Sequence, residues 1–182
     1  MILPEGDPAL VVRLERARSE AIYLERCFAG AKTLLDIGCG PAVTPVLLAK
    51  AITLDHIYLM DGGPARMRES SWFDDAPRPW TDLALASRIA CMNDVSFTLI
   101  NPDPEVTVPC DAIMSLLSWG HHYPVRVYIG LARRSLPIGG KLVIDLREGR
   151  GGAEVLLSYG FRMIAQLDET AKLKRYLFER VN

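Results

Sequence analysis

Residues 33–50 read TLLDIGCGPAVTPVLLAK, and the reading of this stretch decides the fold. Thr33 to Ile37 is a short, largely apolar run of the kind that forms a buried strand. Gly38-Cys39-Gly40 follows, and its two glycines let the backbone turn sharply and let a ligand approach the main chain. Thr44 reads as an N-cap, with Pro45 at the first helical position, where a missing N–H costs nothing. Val46, Leu47, Leu48 and Ala49 continue an apolar helix whose first N–H groups are free to point at a ligand. Strand, glycine turn and helix together form the first βα unit of a doubly wound α/β sheet.

The finer spelling bears on the ligand. A dinucleotide fingerprint needs a third small residue for close helix–strand packing, and Val43 stands there instead. Asp36 closes the strand just before the glycines, where it would repel a pyrophosphate and suit a cationic amino group. LDIGCGPA resembles motif I of the class I S-adenosylmethionine-dependent methyltransferases, D/E-x-G-x-G-x-G, with Ala42 in place of the last glycine. The resemblance implies a Rossmann-like seven-stranded sheet, mostly parallel with an antiparallel last strand and helices on both faces. It also implies S-adenosyl-L-methionine as cofactor, held at Asp36, Gly38 and Gly40.

Downstream, Ile57 to Met60 reads as a second buried strand, ending in Asp61. This carboxylate follows Gly40 by the spacing at which an acidic residue meets a ribose. In the resembled family the residue ending this strand accepts both ribose hydroxyls, and Asp61 matches it; a plain helix-capping role is the alternative. Gly62, Gly63 and Pro64 turn the chain toward a second helix. Glu69 to Trp80 is irregular, either lining a pocket or packing a loop. Thr81 to Met92 reads as a helix and Val95 to Ile100 as a third strand. Asn101-Pro-Asp103-Pro breaks that strand at the same sheet edge. The resemblance implies that this loop contacts the adenine amine, with Asn101 and Asp103 as equal candidates.

Asp111 to Ser115 reads as the fourth strand, and Ser115 is counted with the cofactor-binding residues. Pro124 reads as the first residue of a helix running to about Leu136. His121 and His122 therefore lie between a strand's carboxyl end and a helix, the edge where open α/β sheets bind ligands. Many small-molecule methyltransferases have a similar double histidine here. An imidazole suits removal of a proton from an oxygen acceptor near neutral pH. His122 is the first choice as base and His121 the second, with Tyr123 and Arg147 as substrate-orienting candidates.

Leu136 to Asp145 resembles the family's proline–glycine turn into a fifth strand, after which Asp145, Arg147, Glu148 and Arg150 project near the same edge. FRMIAQL and LKRYLFER read as a closing antiparallel hairpin. At the other end, Pro8 to Ala29 reads as an amphipathic helix with Leu10, Leu14, Ala17, Ala21, Leu24 and Phe28 on one face. Arg13, Arg16, Glu20 and Arg26 fall on its polar side. The chain thus reads as one domain over 1–182, with residues 1–30 packing on or lidding the site and 31–182 forming the cofactor-binding core.

A length of 182 residues suits one domain with a substantial core. A formal net charge of −1 leaves no electrostatic footprint for nucleic acid, and no N/D-P-P-Y/F motif follows the fourth strand. Cys27, Cys39, Cys91 and Cys110 form no C-x-x-C pair, so reduced, buried thiols and a cytoplasmic location are expected. MILPEGDPAL lacks the features of a signal peptide, and no apolar run is long enough for a membrane span. The expected activity is methyl transfer to a small-molecule acceptor, at oxygen. The alternatives are a methyltransferase-like domain that binds cofactor or partner without catalysis, and a nucleotide-dependent oxidoreductase, against which Asp36 and Val43 argue. A homodimer is the one protein–protein association considered.

Overall fold

The computed structural model describes residues 1–4, 8–62, 83–169 and 173–182. The turn at Gly63-Pro64, the helix expected after it, the stretch 69–80, and Thr81 and Asp82 lie outside them. Seven strands form one sheet: β1 Thr33–Ile37, β2 His56–Met60, β3 Phe97–Ile100, β4 Ala112–Ser115, β5 Lys141–Arg147, β6 Phe161–Glu169 and β7 Leu173–Arg180. Their spatial order is β3-β2-β1-β4-β5-β7-β6. The first five are parallel, and β7 runs antiparallel to both β5 and β6. The Rossmann-like sheet expected from the glycine motif is therefore present, down to its closing hairpin.

Burial explains the continuous apolar runs. Every residue of β4 is buried, as are all of β1 except Thr33, because helices cover both faces of the sheet. Alternate side chains divide between two cores. Leu34, Met114 and Val143 pack with Leu24 of α1 (Pro8–Cys27), Phe28 just after it, Val46 and Leu48 of α2 (Val43–Ala51), and Ile89 of α3 (Leu83–Met92). Leu35, Ile113, Leu142 and Ile144 pack on the other face with Leu131 of α4 (Ile129–Ser135) and Leu156 of α5 (Gly152–Ser158). Among the described residues no helix is long and apolar enough to cross a membrane.

Several boundaries differ from the sequence reading. α2 begins at Val43, with Ala42 as N-cap in the left-handed region (φ 58°) and no side-chain cap. Thr44 is not the cap; its hydroxyl reaches toward Glu20 at 3.4 Å. Pro45 lies at the third helical position, still within the turn whose N–H groups lack helical partners. Pro124 is extended (ψ 144°), and the segment after it splits into a 3-10 turn, Val125–Val127, and the short α4. Asp111 precedes β4 and caps the sheet by accepting the N–H groups of Lys32 and Thr33. Cys91 is exposed, contrary to expectation, whereas Cys39 and Cys110 are buried thiols.

The largest departure concerns charge. Glu20 is not on a solvated face but buried, and Asp145 is fully buried on β5. Both meet Arg175 of β7, itself 1% exposed. Arg175 grips Asp145 with two parallel bonds of 2.5 and 2.8 Å, and donates to Glu20 at 3.1 Å and to the Tyr23 hydroxyl. A guanidinium has the planar fork for this geometry, and the bonds it makes offset part of the cost of desolvating three charges.

Removing one member of a buried ion network leaves an uncompensated charge, typically about 3–5 kcal/mol. Arg175→Met should therefore lower the melting temperature by roughly 6–20 °C for a chain of this size. Adding Asp145→Leu should recover much of that loss, since the stranded carboxylate goes with it. A melting temperature unchanged in Arg175→Met would show that the network contributes nothing to stability.

Candidate functional site

The order of strands reverses between β1 and β4, and in sheets of this kind the crevice outside the carboxyl ends at that reversal holds the ligand. Register brings the pieces level. Ile37 pairs with Met60 and Met60 with Ile100, so Gly38, Asp61 and Asn101 emerge side by side. The glycine turn is tied to β2 by Gly38 and Cys39 N–H donating to the Met60 carbonyl at 2.7 and 3.2 Å.

Asp61 is 5% exposed and is held by the main chain. One carboxylate oxygen accepts from Gly40 N–H and the other from Gly62 N–H, each at 2.7 Å. Burial pushes this carboxyl up to about 6, although both N–H groups act in the opposite direction. Asp36, beneath the turn, is 4% exposed. Burial first, then the neighbouring charges of Asp61 and Glu20, lifts its carboxyl well above the usual range. Two carboxyls, Asp36 and Asp61, thus crowd one end of the site, with Glu20 beyond them paired to Arg175, and such a pair favours a positive group over another negative one.

The histidine segment is fastened on both sides of the reversal. Gly38 has a φ of 83°, and a β-carbon there would lie 1.8 Å from Ser118 Oγ, so only glycine admits this loop so close to the turn. Gly120 is pressed equally close to β5, where a β-carbon would come 2.7 Å from the Asp145 carbonyl. Arg147 N–H donates to the Gly120 carbonyl at 3.0 Å. Ser115 is fully buried; its hydroxyl donates to the Ile37 carbonyl at 2.7 Å and accepts from Trp119 N–H at 2.9 Å. Its side chain therefore joins the ends of β1 and β4 beneath the loop. Asp145 contributes here as well, accepting Leu117 N–H at 2.9 Å. It is part of the frame and not a side chain projecting at the edge.

His121 and His122 stand in this loop with ring centroids 4.7 Å apart, edge to face. Both backbone N–H groups donate to the Ser118 carbonyl, at 3.1 and 2.7 Å. The Tyr123 hydroxyl shares a hydrogen bond with Ser118, yet burial raises its phenol, and the negative charge of Asp61 adds to this. Tyr128, Tyr123 and Trp119 form a run of perpendicular ring contacts at 6.4 to 6.5 Å. Burial pushes the Tyr128 phenol to about 12, with further contributions from Tyr123, Asp61 and Asp103. In the adjoining loop Asn101 is exposed, while Asp103 uses Oδ1 to accept Glu105 N–H at 2.9 Å.

Four participants escaped the sequence reading: Tyr128, Ser118, Glu20 and Arg13. Arg13 of α1 comes within 3.9 Å of where a β-carbon on Gly40 would be, so the N-terminal helix reaches the glycine turn. Glu20 and Arg13 reach the site from a helix distant in sequence, Tyr128 from a turn that the reading had made helical, and Ser118 through a contact with Gly38 eighty residues earlier, so no local signal marks them. Among the described residues there is no cluster of three metal-ligating side chains.

No family model matches the sequence, and no curated protein matches it. Its fold, however, is shared widely among solved structures. The amino pentose methyltransferase CalS10 from Micromonospora echinaspora, solved with S-adenosylmethionine bound, superposes with a TM-score of 0.63 at 14% identity, over 100% of this chain and 99% of that one. The mitomycin 7-O-methyltransferase MmcR gives 0.64 at 15% identity, over 93% of this chain and 54% of that one. A candidate RNA methyltransferase from Pyrococcus horikoshii gives 0.65 at 13% identity, over 92% and 85%. The chain has the class I methyltransferase fold.

Proposed function

We propose that the chain transfers a methyl group from S-adenosyl-L-methionine to an oxygen of a small-molecule acceptor. The observation that carries this reading is Asp61, a carboxylate fixed by two main-chain N–H groups beside a glycine turn at the strand-order reversal. A carboxylate has about four lone-pair sites, so two remain for a pair of ribose hydroxyls. The surrounding charge fits the same cofactor. Asp36 and Asp61 disfavour a pyrophosphate and favour the sulfonium and ammonium of S-adenosylmethionine. Gly38, Gly40 and Gly62 would flank the adenosine and amino-acid parts, and Asn101 or Asp103 would meet the adenine amine. Ser115 would act by holding the turn in place.

When bound, the cofactor supplies an already activated methyl group. What remains for the protein is alignment, exclusion of water and removal of the acceptor's proton. In this reading His122 takes that proton, with His121 as second choice, and Tyr123 and Arg147 orient the acceptor. An acceptor of small size is supported by the amino pentose and mitomycin enzymes of the same fold. The RNA neighbour supports a different acceptor, but a net charge of −1 does not favour nucleic acid.

Asp61→Ala should weaken S-adenosylhomocysteine binding by at least about tenfold, the loss of roughly one charge-assisted hydrogen bond. Circular dichroism should show the sheet retained; an unchanged dissociation constant removes Asp61 from the site.

The raised carboxyl of Asp61 sets two pH trends of opposite sign. Hydroxyl donors need the ionised form, so cofactor affinity should fall as pH drops below about 6 and level off above it. In the free protein the folded state keeps a proton that the unfolded chain has released. Folding stability should therefore decline as pH rises from about 4 to about 6. Calorimetry and denaturant titration across that range check both, and a flat dissociation constant would contradict the ribose role.

His122→Ala should leave S-adenosylhomocysteine binding nearly intact while lowering turnover by about 10²–10⁴. Native turnover on a panel of sugars, phenols and carboxylic acids should rise with pH as an imidazole base deprotonates. Full turnover in both His121→Ala and His122→Ala would end the base assignment. No turnover by the native protein, with cofactor firmly bound, would favour a binding domain.

A further inference from the structure

The edge of the sheet opposite the glycine turn carries a second feature. A cleft of about 590 Å³ is lined by Thr107, Gly130, Arg133, Arg134, Tyr159 and Arg180. It lies by the amino-terminal ends of β4 and β5, since Cys110 N–H donates to the Ser135 carbonyl and Gly139 N–H to the Arg180 carbonyl. None of its lining residues belongs to the set around Asp61. Its size is that of a small-molecule site.

Three guanidiniums in one lining, on a chain whose net charge is −1, is a local concentration and not a reflection of a basic surface. Two of them are oriented by main-chain oxygens. Arg134 donates to the Pro104 carbonyl at 2.6 Å, and Arg180 to Asn182 O at 2.9 Å and to the Leu136 carbonyl. A carbonyl fixes a guanidinium fork without cancelling its charge. Among the described residues the one acidic contact is Glu105 with Arg134 at 3.9 Å, through a side chain that is 86% exposed. Arg133 is the least committed of the three: its Nε has no hydrogen-bond partner among the described residues, and no described carboxylate pairs with its guanidinium. Arg133 as a whole is half-buried in this lining, and an anion seated in the cleft would supply the counter-charge that its guanidinium lacks among the described residues.

We propose that this cleft binds a phosphate-bearing small molecule through Arg133, Arg134 and Arg180. Planar forks pair with phosphate oxygens two at a time, and three of them exceed what a single carboxylate can accept. The Thr107 and Tyr159 hydroxyls are the neutral donors of the same lining. A diphosphate or a phosphorylated metabolite has the charge and the size that this lining suits.

The test is calorimetric titration of the full chain with pyrophosphate at fixed ionic strength. One saturable site with a dissociation constant below about 1 mM is expected. Arg133→Gln should weaken it at least about tenfold, while the melting temperature and S-adenosylhomocysteine affinity stay as in the native chain, because no bond of the described fold involves Arg133 Nε. A parallel titration with ADP, on protein saturated with S-adenosylhomocysteine, distinguishes the source. Tighter binding than pyrophosphate supports a nucleotide, and equal binding supports any diphosphate. Absence of saturable pyrophosphate binding, or equal affinity in the native, Arg133→Gln and Arg134→Gln proteins, would overturn the proposal. So would an RNA hairpin that binds through these arginines when pyrophosphate does not.

Discussion

Arg175 is the point at which the sheet, the N-terminal helix and, through Asp145, the histidine loop are joined. It comes from β7, takes both oxygens of Asp145 on β5, and extends across the sheet face to Glu20 and Tyr23 of α1. Asp145 in turn accepts Leu117 N–H, the first link of the histidine loop. Sheet, N-terminal helix and candidate acceptor loop therefore share one buried cation. A desolvated ion network has few alternative arrangements, because any displacement exposes an unpaired charge to an apolar interior. The loop's position is in this way coupled to the packing of a helix more than ninety residues earlier in the chain.

The site is built on the opposite electrostatic principle. Where Arg175 neutralises carboxylates, Asp36 and Asp61 are left close together, burial raising the proton affinity of both and the charge of Asp61 adding to that of Asp36. An arrangement of this kind costs stability at neutral pH, and it persists because the turn's N–H groups hold Asp61 in place. A positive ligand beside this pair would relieve the repulsion and a negative one would add to it. The separate cleft on the far edge is lined instead by three arginines.

Much of the fold was legible in the residues because local signals and burial agreed. TLLDI, AIMS and KLVIDLR are apolar runs of strand length, and all three are central strands covered on both faces. Gly38 was legible as a turn glycine, but the reason that it must be glycine, a contact with Ser118, belongs to another segment eighty residues on. Asp61 was legible as the end of a strand beside Gly40. Ser115 illustrates the converse: its position at a strand end was right, while its hydroxyl is occupied between Ile37 and Trp119. The helix expected from Pro124 was a misreading of a residue whose fixed φ serves an extended conformation equally well.

The sequence by itself determined the strand–turn–helix unit, the sheet and its order of elements, and the edge at which the candidate residues gather, because hydrophobic period and glycine placement are local properties. It also placed Asp36, Asp61 and the paired histidines along that edge. Only the tertiary structure decided which charges would be buried and with whom. Glu20 reads as solvated on a helical wheel and becomes buried because Arg175, 155 residues away, has to be matched. Such pairings are set by the free energy of desolvating both partners together, a quantity that no window of neighbouring residues contains.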